Sequence, residues 1–383
     1  MRLAIVHDYL IQMGGAERVV AAMAEAFPEA SIYTSATDRE RLLSEFRSKN
    51  IVNSWVDRIP GLQKGFKKFF AIYPFAFHSF KPVDADVVWI SSSGFSKWIR
   101  VKEGAKTICY CHTPPRFFWR SEDYVSAELG NSLAGRSAKV LLRFLRDWDF
   151  ACAQRIGRFV ANSRCVQERI WQYYGRASTV IHPPVNVHRF SVSATSENYY
   201  VILSRLIGYK RIDLAIEAFN RLGERLVIIG DGPDRARLEA LAGPTISFLG
   251  RVADADIERV LGCSKALIFP GFEDFGIAAV EAQACGRPVI AFGAGGALET
   301  VVPGETGLFF EAQAVDELAD TVVRSKAIRW STERIRANAL RFGQEIFLEK
   351  MRAVVKAAHQ EVPLRLGGAA EEAPQAAGES YGL

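Results

Sequence analysis

The sequence predicts an α/β protein made of two doubly wound domains that face each other across a cleft. Three observations carry that expectation. Short β-branched runs alternate with longer helical patterns, as in parallel sheets covered by helices on both faces. The alternation occurs twice, on either side of a connection rich in proline, serine and asparagine, VIHPPVNVHRFSVSATSEN from Val180 to Asn198. At 383 residues the chain also exceeds the size at which one core usually keeps growing.

In the first half, LAIVH from Leu3, ASIYTS from Ala30, DVVWIS from Asp86, KTICYCH from Lys106 and GRFVANS from Gly157 read as strands separated by helical stretches. In the second, YYVILSRL, RLVIIGDG, TISFLG, KALIFPG and RPVIAFG do the same. This places a first domain over 1–180 and a second over 196–342. A helix over 343–362 is expected to cross back to the first domain, and the small, acidic tail 367–383 is expected to be disordered. Sheets of this kind bind ligands beyond the carboxyl ends of their strands, so the loops there are where chemistry is expected.

Composition narrows the class. Hydrophobic residues make up 49% and charged residues 24%, the balance of a folded globular chain rather than a disordered one. A net charge of +5 does not suggest a dedicated nucleic-acid binder. The apolar run at the start soon reaches His7 and Asp8, too early for a signal peptide, and no run is long enough for a transmembrane helix. Six cysteines in a chain this long are too sparse for a disulfide framework and read as reduced, cytosolic thiols. Cys109 and Cys111 fall on one face of an expected strand, without the further ligands a zinc site needs.

The strongest chemical signal is KALIFPGFEDFGIAAVEAQACGRPVIAFGAGGALETV, from Lys265 to Val301. A strand ends at Pro270, a loop presents Glu273, and a helix begins near Gly276 and carries Glu281 two turns on. Free N–H groups of Phe275, Gly276 and Ile277 at that helix start, with the helix dipole, suit a diphosphate. Glu281 can accept hydrogen bonds from both hydroxyls of a ribose. This stretch resembles the signature of glycosyltransferase family four, retaining enzymes of the GT-B architecture with two Rossmann-like domains. Further motifs in matching order strengthen the resemblance: GGAE at Gly14–Glu17, HTP at His112–Pro114, Asn162-Ser163, SRLIGYKRIDLAIEAF from Ser204 and GDGP from Gly230.

The resemblance implies a role for each matching residue. Arg205 and Lys210, the latter opening a helix, would neutralise the departing nucleoside diphosphate without a metal. Glu273 would bind the donor sugar's hydroxyls and His112 the transferred sugar, which makes them the expected catalytic pair. Gly14 and Gly15 would let the backbone approach a phosphate or sugar, although a glycine pair also serves simple turn geometry. Gly295 and Gly296 resemble the family's glycine turn beside the donor, where a plain turn is the alternative. The connection HPPVNVHRF, with Asn186, is assigned no catalysis. No cofactor or metal is expected beyond the nucleotide-sugar donor substrate.

Competing readings have their own residues. A metal-dependent transferase would draw on the Asp-x-Asp pairs Asp84/Asp86, Asp147/Asp149 and Asp254/Asp256, whose contexts point instead to helix caps and solvated carboxylates. A nucleotide-sugar-binding module without transfer would share the fold but would not need a sugar-facing carboxylate and histidine. A nicotinamide dehydrogenase is disfavoured because neither Gly14-Gly15 nor Gly230-x-Gly232 completes G-x-G-x-x-G. HDYL at the start and CHTPPRFFW are similar to bacterial mannosyltransferases of polysaccharide and lipid-linked oligosaccharide assembly, which implies GDP-mannose as donor, with UDP-sugars the alternative. The acceptor would be a glycan or lipid-linked saccharide.

The segment Ile59–Lys81 combines Lys64, Lys67 and Lys68 with Leu62, Phe66, Phe69, Phe70 and Tyr73 on one broad helical face. It reads either as a core-packed helix or as peripheral contact with anionic lipid, where three lysines contribute on the order of 3 kcal/mol. The second reading places the protein on the inner face of the cytoplasmic membrane.

Overall fold

The computed structural model describes residues 1–12, 14–61, 72–119, 133–193 and 195–361. The chain divides into two compact units, Met1–His182 with Leu348–Leu383, and Pro183–Phe347.

In the first unit the described strands are β1 (Leu3–His7), β2 (Ser31–Thr34), β3 (Ile51–Asn53), β4 (Val87–Ser92), β5 (Lys106–Cys111), β6 (Arg158–Ala161) and β7 (Ser178–Val180). They form one parallel sheet in the order β3-β2-β1-β4-β5-β6-β7. Its helices are α1 (Gly15–Ala26), α2 (Tyr73–His78), α3 (Arg116–Trp119), α4 (Leu133–Gln154) and α5 (Arg164–Tyr174). Strand β4 is buried along its whole length because β1 and β5 flank it and helices cover both faces. That explains the apolar run VVWI, continued by the buried serines Ser91 and Ser92, in place of an alternating pattern.

The second unit carries β8 (Tyr200–Leu203), α6 (Ile212–Leu222), β9 (Leu226–Ile229), α7 (Arg235–Leu241), β10 (Ile246–Gly250), α8 (Asp254–Cys263), β11 (Leu267–Phe269), α9 (Ile277–Ala284), β12 (Val289–Phe292), α10 (Ala297–Thr300), β13 (Gly307–Phe310), α11 (Val315–Ser325) and α12 (Thr332–Leu340). Its sheet order is β10-β9-β8-β11-β12-β13, again all parallel. The fold class is therefore α/β with two doubly wound, parallel-sheet Rossmann-like domains.

The last helix, α13 (Gln344–His359), begins in the second unit and continues into the first. Met351, Val354, Val355 and Ala358 are buried along it, and the Arg158 guanidinium donates to the Ala357 carbonyl at 3.4 Å. Lys106 pairs with Glu361 just beyond it. The second half of this helix is thus part of the first unit's core.

One expectation changes in the structure. Asp149, expected as a cap or solvated carboxylate, is fully buried, 3.1 Å from the Lys97 ammonium, and accepts from Trp119 Nε1 at 3.0 Å and Tyr174 OH at 2.7 Å. A carboxylate on the inner face of a long helix is tolerated there because a buried cation and two donors replace its water. Of the face expected to carry Tyr73, only Tyr73 itself falls among the described residues, and it is buried, stacked on Phe95. Lys64, Lys67, Lys68, Leu62, Phe66, Phe69, Phe70 and the tail 367–383 lie outside the described residues.

Candidate active site

In the second unit, loops following β8, β9, β11 and β12 are locked together at positions where a side chain has no room. A Cβ at Gly230 would stand 1.8 Å from the Ser204 carbonyl oxygen, and one at Gly232 would stand 2.2 Å from that of Leu206. A Cβ at Gly271 would meet the Lys210 Cα at 2.8 Å, and one at Gly296 the Phe275 Cα at 2.2 Å. The GDGP turn therefore packs on the loop carrying Arg205 and Lys210, and that loop packs on the one carrying Glu273. The Gly296 N–H donates to the Glu273 carbonyl at 2.8 Å, so the glycine turn at Gly295-Gly296 holds the same loop from the other side.

Lys210 does not open helix α6. It ends a single 3₁₀ turn, Gly208–Lys210, and Arg211 at φ 49° intervenes before the helix starts at Ile212. A non-glycine residue in the left-handed region is strained, and here it turns the chain sharply after the lysine. The Lys210 ammonium forms an ion pair with the Glu273 carboxylate, both largely buried. Burial, the largest single influence, pushes the ammonium's pKa down, but the charge and hydrogen bond of Glu273 together with Tyr209 and Asp274 outweigh it and hold the pKa above the ordinary lysine value. The two residues assigned to phosphate and to sugar thus satisfy each other directly. Arg205, on the same loop, is exposed.

Beyond Glu273 the chain reaches α9. Its N-cap, Gly276, has φ 94° and no capping side chain. Glycine is suited to that dihedral, and a Cβ there would also strike the Phe269 ring at 2.8 Å. The helix start thus presents the backbone of Gly276 and Ile277, positive end first, without a side-chain acceptor of its own. The Phe275 side chain, by contrast, is in the core, edge-on to Phe342 at 5.5 Å. Only its backbone is suited to a ligand.

Glu281 lies one turn further along α9, and its carboxylate is 3.7 Å from Arg189 Nη2. Arg189 also pairs with Asp254 at the start of α8 and stacks over the Phe190 ring at 4.4 Å. Its Nε and Nη2 are buried without a hydrogen-bond partner. The connection HPPVNVHRF, assigned no site role from the sequence, thus supplies the neighbour of Glu281. The available signal was a cation beside Phe190 in a proline-stiffened run. Asn186 caps the short turn that carries Arg189, accepting the Arg189 N–H at 3.2 Å.

In the first unit, Gly14 is the N-cap of α1 and Gly15 its first residue, both exposed. Glu17, buried in the first turn, accepts the Gly14 N–H at 2.9 Å. His112 follows β5. Its carbonyl accepts from Asn162 Nδ2 at 3.0 Å, its N–H donates to the Ser92 carbonyl at 2.9 Å, and its ring stands edge-on to Tyr110 at 5.2 Å. Ring nitrogen Nε2 of His112 is 2.7 Å from Ser91 Oγ, which is 3.0 Å from Nδ1 of buried His7. The far side of the His7 ring faces Glu17, with Nε2 4.0 Å from Oε1. Gly14 and His112, distant in sequence, are therefore joined by a run of buried polar side chains. His7 and Glu17 stand in the motifs HDYL and GGAE, but nothing in their type announced this connection.

Among the described residues no group of three His, Cys, Asp or Glu side chains is placed to hold a metal ion. Asp84 and Asp86 are engaged with Arg2, and Asp84 also with Lys102 at 2.6 Å. Asp254 and Asp256 lie in the first turn of α8, behind N-cap Ala253. No helix among the described residues is long and apolar enough to cross a membrane.

Residues 13–189 match the family described as Glycosyltransferase Family 4, and residues 186–342 match Glycosyl transferases group 1, so the chain belongs to these GT-B glycosyltransferases. Over 136 residues it is 35% identical to a GDP-mannose-dependent monoacylated alpha-(1-6)-phosphatidylinositol monomannoside mannosyltransferase of Corynebacterium glutamicum, a match spanning 31% of this chain and 35% of that one. It is 24% identical over 404 residues to the alpha-1,3/1,6-mannosyltransferase ALG2 of Candida glabrata, covering 86% of this chain and 85% of the relative. Among solved structures, Anabaena HepE in complex with UDP and glucose superimposes with a TM-score of 0.68 at 19% identity, over 93% of this chain and 100% of that chain.

Proposed function

We propose that this chain is a retaining, metal-independent glycosyltransferase that moves mannose from GDP-mannose to a glycan or lipid-linked saccharide in bacterial surface polysaccharide synthesis. The observation that carries the reading is the buried Lys210–Glu273 pair beside the uncapped start of α9 and one turn from Glu281. Breaking the bond between an anomeric carbon and a diphosphate develops positive charge on the sugar and negative charge on the leaving group. Lys210, Arg205 and the backbone N–H groups of Phe275, Gly276 and Ile277 meet the second charge. Glu273, released from Lys210 as the diphosphate takes its place, meets the hydroxyls of the sugar, and Glu281 the ribose. His112 holds the transferred sugar, and Gly14 and Gly15 allow its close approach. The acceptor oxygen attacks from the face the diphosphate leaves, its proton passing to a leaving phosphate oxygen, so no protein nucleophile is required.

The GDP-mannose dependence of the Corynebacterium relative supports GDP-mannose, and the UDP bound to HepE supports a UDP-sugar as the second reading. Exposed Phe75 and Phe144, which both pack against the Trp148 ring, support peripheral contact with a membrane. A thermal-shift panel of GDP-mannose, UDP-glucose and UDP-N-acetylglucosamine tests the donor. At a hundred times Kd the true donor stabilises by about 2.7 kcal/mol. Failure of every nucleotide sugar to shift the melting temperature removes the reading. Turnover by Glu273→Ala or His112→Ala at near the parent rate, in folded protein, removes that residue from the catalytic pair. Loss of activity in excess chelator transfers the case to a metal-dependent enzyme.

A further inference from the structure

We infer that Ser91 and His7 are positioning residues that hold His112 in a single tautomer, with its ring proton on Nδ1 and a lone pair on Nε2. The argument starts at His7, which is 1% exposed. Its Nδ1 lies 3.0 Å from Ser91 Oγ and 3.3 Å from the Ser91 carbonyl oxygen. A carbonyl oxygen only accepts, so a lone pair on Nδ1 would be turned against another lone pair in a buried site. Nδ1 therefore carries a proton and donates towards Ser91. Glu17 faces the opposite nitrogen at 4.0 Å.

The direction of the chain follows. Ser91 Oγ has one hydrogen, and having accepted from His7 it gives that hydrogen to His112 Nε2, 2.7 Å away. Ser91 is fully buried on β4, and its backbone is fixed by pairing with β1 and β5, so its hydroxyl is not averaged among water partners. A neutral imidazole whose Nε2 accepts must hold its proton on Nδ1. His112 is then a hydrogen-bond donor through Nδ1 with a fixed ring plane, the property required of a group that grips a sugar hydroxyl. The same chain ties the ring to the helix start at Gly14, because Glu17 also accepts the Gly14 N–H. This inference rests on the assignment of His112 to the transferred sugar for its functional consequence. The tautomer itself does not depend on it.

Nitrogen-15 NMR of histidine-labelled full-length protein reads the tautomer, with the His112→Ala spectrum assigning the signals. The parent is expected to show His112 protonated at Nδ1 and bare at Nε2. In Ser91→Ala both tautomers should be populated, with kcat down at least tenfold and donor KM within about twofold. Ser91→Thr, which restores the hydroxyl, and His7→Asn, whose amide N–H replaces Nδ1–H, should recover the single tautomer and most of the rate. Circular dichroism and melting temperature establish that each variant is folded. A parent His112 protonated at Nε2, or an unchanged tautomer in Ser91→Ala, overturns the inference. A changed tautomer with unchanged kcat upholds the positioning and instead overturns the role given to His112 in transfer.

Discussion

Gly230 shows how far single positions control the second unit. Its φ of 134° is outside the range of ordinary L-residues, and its Cα lies against the Ser204 carbonyl. Gly230→Ala is expected to cost about 2–4 kcal/mol, since backbone strain and a clash that neither loop can relieve act together. Denaturant unfolding checks it, and a loss under 1 kcal/mol would mean that the GDGP turn is not locked to the Ser204 loop. The thiols make a second case. Burial pushes Cys109 and Cys285 up to about 12, so neither forms thiolate near neutral pH. Native protein titrated with a disulfide reagent at pH 8 should react at half-buried Cys165 and Cys263 and spare Cys109, Cys111 and Cys285 until it is unfolded. Rapid native labelling of Cys109 would contradict that burial.

Lys97 and Asp149 act across elements, since Lys97 follows β4 in a short turn and Asp149 lies on α4. Desolvation is the largest single influence and opposes the Lys97 charge, yet Asp149 together with the neighbouring Cys109, Cys111 and Asp8 holds its pKa above the ordinary lysine value. A raised pKa means that the stabilisation is fully present below the ordinary lysine value of 10.5 and is lost as pH rises through the higher folded one. It is therefore constant across the physiological range. Lys97→Met leaves a buried carboxylate unpaired and should destabilise by about 3–5 kcal/mol, whereas Lys97→Met with Asp149→Leu should recover most of that loss. Equal instability of the single and double variants would show that the pair's shape, not its charge, matters. The same elements show what a sequence conceals. Strands β3, β7 and β13 were not foreseen, and each is at an edge of its sheet. An edge strand has one neighbour and a half-solvated face, so IVN, STV and GLFF lack the long apolar run that marked the central strands.

The two units share one helix, and that has consequences for how the molecule comes apart. Residues to Phe347 belong to the second unit and those from Leu348 to the first. Ending the chain after Phe347 removes Met351, Val354 and Val355 from the first unit's core, about 1.5–3 kcal/mol for each large apolar side chain. Calorimetry of the truncated protein should show the first unit melting at a much lower temperature and the second nearly unchanged. A single unshifted transition would mean that the helix's second half is dispensable. Donor binding gives the complementary reading, because a bound nucleotide sugar should raise the melting of the second unit first.

The sequence by itself determined the two parallel sheets, their central strands and the places where loops leave them. Those features depend on local periodicity and on glycine at turns, which a chain carries wherever it is folded. It also marked Lys210, Glu273, Glu281 and His112 as residues of interest through motif order. Only the tertiary structure decided who stands beside whom: Glu273 against Lys210, Arg189 against Glu281, and Ser91 between His7 and His112. Such pairings join residues from different elements, and a side chain's partner is set by sheet register and loop packing, which leave no trace in the neighbouring letters. The ionisation and proton positions of the candidate site follow from those partners, because a charge or a ring proton is held by what replaces water around it.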